Sequence, residues 1–103
     1  MQHDVFANPA SKSRAAFPFL VLLQADLATD GEFRVVAPLA NDAGLSGAGG
    51  KLLPAVSYGG GTYRVVLDMI TSVPKAALRA PLGSVAAHRD EITRGLDWLF
   101  TGV

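Results

Sequence analysis

The chain has 103 residues, of which half are hydrophobic and 17% charged, and its formal net charge at pH 7 is zero. This length fits one domain with a single core, and the composition is globular rather than disordered. The absence of cysteine excludes disulfides and thiolate chemistry, and neutrality excludes a general electrostatic attraction to nucleic acid. We expect a single cytoplasmic domain over residues 1–103, because no signal peptide or long apolar run occurs in the sequence.

The first half of the chain has the short apolar runs that are typical of β structure. Alternation predicts a strand over residues 2–7. The apolar run at residues 17–24 predicts a strand that is largely buried on both faces. A turn signal at residues 29–31 makes residues 33–39 its hairpin partner. Four glycines between residues 41 and 50 predict a surface loop.

The second half contains the clearest hairpin signal in the sequence. Residues 59–61 are three glycines, and glycine alone adopts positive φ without steric cost. Residues 52–58 and 62–67 are therefore predicted to pair, and a helix begins near Ala86. About five strands followed by one terminal helix predict an α+β, mainly β fold with a barrel-like antiparallel sheet.

The last sixteen residues predict an amphipathic helix that continues almost to Val103. One apolar stripe is formed at helical spacing by Ile92, Leu96, Leu99 and Phe100. Chain ends usually consist of polar residues that fray. An apolar end of this kind must be buried or must hold a partner, and it is the most informative feature of the sequence.

No sequence motif supports an active site. The glycine-rich residues 44–51 have one residue too many for a phosphate-binding loop, and Leu52 replaces the hydroxyl that would bind magnesium. The segment around Ser46 lacks the last glycine of a nucleophile elbow. His3 and His88 have no second ligand at metal spacing. We therefore expect a protein that is not an enzyme and that uses no metal or cofactor.

Four segments occur in the order and spacing of a known protein family: residues 1–6, residues 19–39, residues 53–74 and residues 100–103. The most specific part is the string Asp-Met at residues 68–69 with Ser-Val-Pro at residues 72–74, together with the terminal helix. Over nearly its whole length the chain resembles the CcdB toxins of plasmid and chromosomal addiction modules.

The resemblance implies a fold, a target and a set of partners. The implied fold is a small SH3-like antiparallel barrel with a minor second sheet and a C-terminal helix, assembled as a homodimer. The implied function is a toxin that binds the A subunit of DNA gyrase and traps the enzyme after it has cut DNA. A cognate CcdA-like antitoxin neutralises such a toxin, and the two together repress their operon.

The resemblance also implies that the last three residues contact gyrase. In the family they are a tryptophan, a glycine and an isoleucine, and here they correspond to Thr101, Gly102 and Val103. Tryptophan can stack on a guanidinium group and can anchor an interface, whereas threonine does neither. The change at Thr101 therefore removes the aromatic anchor that the family uses.

Three further helix residues belong to the implied gyrase-binding set. Arg94 and Asp97 stand where the best-known family member has uncharged amides. Trp98 lies three residues before Thr101 and projects from nearly the same side of the helix, so it could supply the stacking surface. Alternatively, Trp98 packs on the sheet or across the dimer.

The antitoxin surface is predicted from charge. Residues 69–89 contain Lys75, Arg79 and Arg89 and no acidic residue. The disordered tails of antitoxins are often acidic, so these three cations are the predicted antitoxin-binding residues.

Two alternatives to a gyrase poison remain open. In the first, a protein with the CcdB fold has lost gyrase poisoning through Thr101 and acts only as an antitoxin partner and co-repressor. In the second, the protein is an endoribonuclease toxin similar to Kid and MazF. That activity needs an acid–base pair and a cationic groove, for which the candidates are Arg64, Asp68 and His88.

Overall fold

The computed structural model of the protein describes residues 1–28, 31–42 and 50–102. Residues 29–30 of the predicted turn and residues 43–49 of the predicted loop lie outside the described residues. Within the described ranges the chain forms one α-helix and seven strands, two more than the sequence indicated. They are β1 Asp4–Ala7, β2 Phe19–Leu22, β3 Phe33–Asn41, β4 Ala55–Tyr58, β5 Gly61–Val65, β6 Thr71–Pro74, β7 Gly83–Ser84 and α1 Arg89–Thr101.

All strand pairs of the described sheet are antiparallel, in the order β4-β5-β3-β2-β1-β7. The sheet branches at β3, because β6 pairs with residues 33–36 of that strand and β5 pairs with residues 39–41. The expected minor second sheet corresponds to this branch, which stays hydrogen-bonded to the main sheet through β3. The sheet curls into a nearly closed barrel with one C-terminal helix, which confirms the predicted fold class.

Both predicted hairpin pairings are confirmed. Strands β4 and β5 are joined by Gly59 and Gly60, whose φ angles of 59° and 82° are those that glycine tolerates best. Strand β2 pairs with β3 over four residue pairs, from Phe19 opposite Leu39 to Leu22 opposite Val36. The glycine pair therefore forms the turn of the β4–β5 hairpin, as the sequence indicated.

Strand β2 separates two apolar clusters and is buried on both faces, as predicted. Val21 points into the main core. Leu20 and Leu22 point to the opposite face, into a smaller cluster that also contains Phe6 and Val36. The fully buried side chains of the main core are Val5, Val21, Ala37, Leu39, Val56, Val65, Leu67, Val85 and Ile92.

The barrel closes where the two ends of the strand order meet. The ring of Tyr58, at the end of β4, lies so close to Gly83 in β7 that a Cβ atom on this glycine would be 2.7 Å from it. Tyr58 also packs edge-on against Phe19, with ring centroids 5.3 Å apart, and Tyr63 joins the same aromatic cluster. A glycine at position 83 is thus required for the sheet to close over an aromatic ring.

Helix α1 packs on the main core through Ile92, Gly95 and Leu96. Gly95 allows close approach, because a Cβ atom there would lie 2.4 Å from the carbonyl oxygen of Lys51. A 3₁₀ turn at Ala86–His88 precedes the helix, so the α-helix begins three residues later than predicted. None of the helices in the described ranges is long and apolar enough to span a membrane.

Candidate functional site

The tip of α1 is fixed by a glycine cap and by a hydroxyl group. Gly102 has a φ of 74° and donates its backbone N–H to the carbonyl of Trp98 at 3.0 Å, which ends the helix in a left-handed turn. The hydroxyl of Thr101 donates to the carbonyl of Asp97 at 2.6 Å. The polar group of Thr101 is therefore used within the helix, although both Thr101 and Gly102 are exposed. Val103 lies outside the described residues.

The apolar stripe of α1 divides into a buried part and an exposed part. Ile92 is fully buried, and Leu96 packs against the main core. Leu99 is half-buried, whereas Phe100 is 73% exposed and Trp98 is 42% exposed. Large exposed aromatic side chains at one helix end are typical of a surface that binds another protein.

The ammonium group of Lys51 lies over the ring of Trp98. The ammonium nitrogen of Lys51 lies 4.1 Å from the centroid of the ring, which is within the range of a cation–π interaction. The structure thus gives Trp98 a contact that the sequence did not indicate: one part of the indole holds Lys51 and the remainder faces solvent. The spacing of these two residues, which are distant in the sequence, provides no signal for this contact.

The charged members of the predicted target-binding set lie on the outer side of α1. Arg94 and Asp97 are both exposed, and the carbonyl of Asp97 accepts the Thr101 hydroxyl. Arg94 also borders a cleft between α1 and the β4–β5 hairpin. The helix therefore presents Arg94, Asp97, Trp98, Thr101 and Gly102 in exposed positions along its last turns.

Lys75 and Arg79 lie on either side of the half-buried Leu78. Lys75 borders one surface cleft together with Arg34, and Arg79 borders a second together with Arg14. Among the described residues, Lys75 forms one ion pair, in which its ammonium nitrogen lies 3.8 Å from a carboxylate oxygen of Glu32. Both side chains of this pair are largely exposed to solvent. The structure thus brings two predicted antitoxin-binding residues together and adds Arg14 and Arg34, which the charge pattern did not single out.

Arg89 lies elsewhere, at the start of α1 and near His3. His3 is buried and adopts a positive φ of 69°. Its backbone carbonyl accepts a hydrogen bond from the backbone N–H of Val85 at 2.9 Å. Burial, and secondarily the charge of Arg89, lower the pKa of His3 below its usual 6.5. Arg89 therefore lies on a different element from Lys75 and Arg79, and its charge acts on a buried histidine.

Two of the three residues of the ribonuclease alternative, Arg64 and His88, have structural partners. The Nε of Arg64 donates to Asp42 at 2.6 Å. The Nε2 of His88 accepts the backbone N–H of Ser57 at 3.1 Å, so its lone pair is engaged. Asp68 is exposed in a 3₁₀ turn. His88 therefore contributes to the junction between β4 and α1, and this use opposes a role as a general base.

Comparison with known proteins identifies the family. A family model described as CcdB protein matches residues 2–102, nearly the whole chain. The chain belongs to the CcdB family. A search of curated proteins finds no match. CcdB membership supports a toxin of a toxin–antitoxin system. The described residues of this CcdB chain contain no group of three or more histidine, aspartate or glutamate side chains that could hold a metal ion.

Proposed function

We propose that this CcdB-family protein is a type II toxin that binds the A subunit of DNA gyrase through the tip of α1. Binding traps the complex in which gyrase has cleaved its DNA. The observation that carries the proposal is the exposed end of the closing helix, where Phe100 is 73% exposed and Trp98 is 42% exposed. Family membership supplies the toxin class, and the exposed helix supplies a surface of the right kind.

The physical basis of binding is recognition without catalysis. A few large side chains, surrounded by less important contacts, provide most of the affinity of a protein interface. Phe100 and the free part of Trp98 are the anchors that this helix offers, and Arg94 and Asp97 add charge at the rim. Because the Thr101 hydroxyl bonds within the helix, Thr101 contributes little beyond its methyl group.

We further propose that the toxin is a homodimer that associates through the branch of the sheet. Phe33 and Val35 share one face of β3, and both are exposed, as is Met69 just before β6. Sedimentation equilibrium tests this proposal: a Phe33→Lys variant should shift the protein to monomer. A Leu27→Lys variant, at an apolar residue that is fully exposed off the sheet, should not.

The antitoxin, in this proposal, places an acidic segment across the two clefts beside Leu78. Four cations outnumber Asp26, the one acidic residue among the lining residues described for these clefts, and Leu78 gives the surface an apolar centre; the cations are Lys75, Arg34, Arg14 and Arg79. Arg89 remains a candidate contact on a separate element. The complex with the antitoxin binds operator DNA through the antitoxin and represses the operon, and the toxin acts in the cytoplasm.

Plasmid cleavage by purified gyrase tests the proposed activity. Addition of the protein with ATP should convert supercoiled plasmid into linear DNA after denaturation of the trapped complex. A Phe100→Ser variant should lose this effect, and a Thr101→Trp variant should strengthen it because it restores the family anchor. A Thr93→Ala variant, on the exposed part of α1 away from the tip, is the matched control.

A second candidate function is supported by Thr101 itself. The side chain lacks an aromatic ring and its hydroxyl is used within the helix, so the tip is weaker than the family pattern. A protein of this kind acts only as antitoxin partner and co-repressor. It would leave gyrase unaffected, bind its antitoxin tightly, and gain cleavage activity only in the Thr101→Trp variant. Cleavage of cellular RNA by the purified protein would instead support the ribonuclease alternative.

A further inference from the structure

A cleft of about 460 Å³ lies between α1 and the beginning of the β4–β5 hairpin. Leu53, Pro54 and Ala55 form an apolar wall, and Gly95 lines the side of the helix. This volume is in the range of sites that hold a small ligand or a few residues of a peptide. The cleft is separate from the clefts beside Leu78 that the antitoxin proposal uses.

Close packing and hydrogen bonds hold the walls of the cleft. The helix approaches Lys51 so closely at Gly95 that no side chain fits between them. On the hairpin side, Arg64 donates through Nε to Asp42 and through a terminal nitrogen to the carbonyl of Leu53 at 2.9 Å. A preformed cleft binds an extended ligand with a smaller loss of conformational entropy than a surface that must rearrange.

The charges that line the cleft are predominantly positive. Lys51, Arg64 and Arg94 are cationic, whereas Glu91 is the one acidic residue among its lining residues within the described chain. Asp42 pairs with Arg64 and offsets part of its charge. In the described ranges Arg94 has no ion pair. The cleft therefore favours a ligand with one carboxylate rather than a multiply charged polyanion.

The edge of β4 also faces the cleft. The backbone N–H of Val65 donates to the carbonyl of Pro54, so Pro54 faces β5 and the next residue, Ala55, faces away from it. Ser57, two residues further on, confirms this direction, because its N–H reaches out to His88. The N–H and C=O of Ala55 are thus directed toward the cleft that Ala55 lines.

We propose that this cleft binds an extended peptide segment that carries an acidic side chain. The peptide carboxylate lies between Arg94 and Arg64, and its backbone forms hydrogen bonds with Ala55 as a short additional strand. Small apolar residues on either side of the acid cover Leu53 and Pro54. The cleft combines the backbone N–H and C=O groups of Ala55 with cationic and apolar side chains. This combination favours a peptide over a free anion. The proposal is independent of whether gyrase is the target.

Fluorescence of Trp98 provides a direct readout, because this is the one tryptophan of the chain and it contacts Lys51 at the cleft. The probe is the peptide acetyl-Val-Ala-Glu-Ala-Val-amide, titrated into the unmodified protein. The matched peptide has glutamine in place of glutamate. We expect a saturable response to the first peptide and binding about ten-fold weaker for the second. Amide chemical shifts of Ala55 and Gly95 should move with the same midpoint.

Protein variants locate the interaction. Arg94→Gln should weaken binding of the glutamate peptide about ten-fold, and Glu91→Gln should leave it equal or tighter because a competing carboxylate is removed. Lys12→Gln removes one positive charge at an exposed residue that does not line the cleft, so it is the matched control and should change nothing. All three residues are exposed, so the variants are expected to fold.

Five results would overturn the proposal. Four of them are no saturable response up to about 1 mM peptide, equal affinity for the glutamate and glutamine peptides, an unchanged affinity in Arg94→Gln, and acetate binding as tightly as the peptide. Chemical shift changes confined to the surroundings of Leu78 would also contradict it. That last result would support the antitoxin surface instead, so the two proposals are distinguishable.

Discussion

Replacing Gly95 by alanine sets two opposite effects against each other in the closing helix. Alanine is favoured over glycine inside a helix by about 1 kcal/mol, so an exposed glycine replaced in this way would stabilise the protein. At position 95, however, the new Cβ atom would lie 2.4 Å from the carbonyl oxygen of Lys51 and 2.3 Å from a methyl group of Leu67. The structure predicts that the steric effect is the larger one.

The magnitude follows from these distances. Ordinary contacts of a Cβ atom are 3.4–4 Å long, so α1 or the backbone at Lys51 must move by roughly 1 Å to relieve the overlap. Overpacking of a filled core destabilises by about 1–3 kcal/mol or more, and backbone gives way less easily than a side chain. Because the clash is partly with backbone, we take the upper part of this range, about 2–3 kcal/mol, and subtract about 1 kcal/mol of helix propensity, which leaves a net loss of about 1–2 kcal/mol. In a domain of this size that lowers Tm by about 5–15 °C.

Equilibrium urea denaturation followed by circular dichroism measures this change. The protein concentration must be the same for both proteins, because association would contribute to the apparent stability. Thr93→Ala is the matched control, since Thr93 is exposed in the same helix and its replacement should stabilise by about 0.5 kcal/mol. A Gly95→Ala variant that is as stable as the unmodified protein, or more stable, would refute the close packing of α1 on Lys51.

Three further predictions concern a buried histidine, the barrel seam and the tryptophan. Burial and Arg89 hold the pKa of His3 below 6.5 in the folded protein, so the unfolded chain binds more protons at mildly acidic pH. The contribution of neutral His3 to the free energy of unfolding is therefore complete above pH 6.5 and is lost as the pH falls through the folded-state pKa. Urea midpoints at about pH 7.5 and about pH 5 should therefore differ less in His3→Gln than in the unmodified protein. Gly83→Val should destabilise by about 2 kcal/mol or more in thermal denaturation, because its side chain meets Tyr58; an unchanged Tm would contradict the closure. Lys51→Met should change the emission of the one tryptophan by removing the cation from its ring, and an unaltered spectrum would exclude that contact.

Local signals in the sequence accounted for much of the fold. The glycines at residues 59 and 60 indicated the β4–β5 hairpin, and the apolar run that forms β2 indicated a strand buried on both faces. The branch at β3 was not predictable, because one strand that pairs with two others along the same edge leaves no periodic pattern. The two-residue β7 is too short for any periodicity to appear.

The sequence predicted the helix that carries the candidate site but not the packing around it. The spacing of its apolar residues indicated the helix, whereas it left open whether the end of the helix is buried or exposed. The contact between Lys51 and Trp98 and the cleft beside Arg94 depend on the packing of α1 against a hairpin that is distant in the sequence. The position of Arg89 near His3 has the same origin, since the charge pattern of the sequence does not show which elements pack together.

The double burial of β2 has a consequence for how partners can bind. Helix α1 rests on the main core, whereas Leu78, between the two basic clefts, rests on the smaller cluster across the sheet. The helix tip and the basic clefts are thus supported from opposite sides of a single layer of strands. Partners that bind the two proposed surfaces would therefore approach the molecule from opposite faces of the sheet.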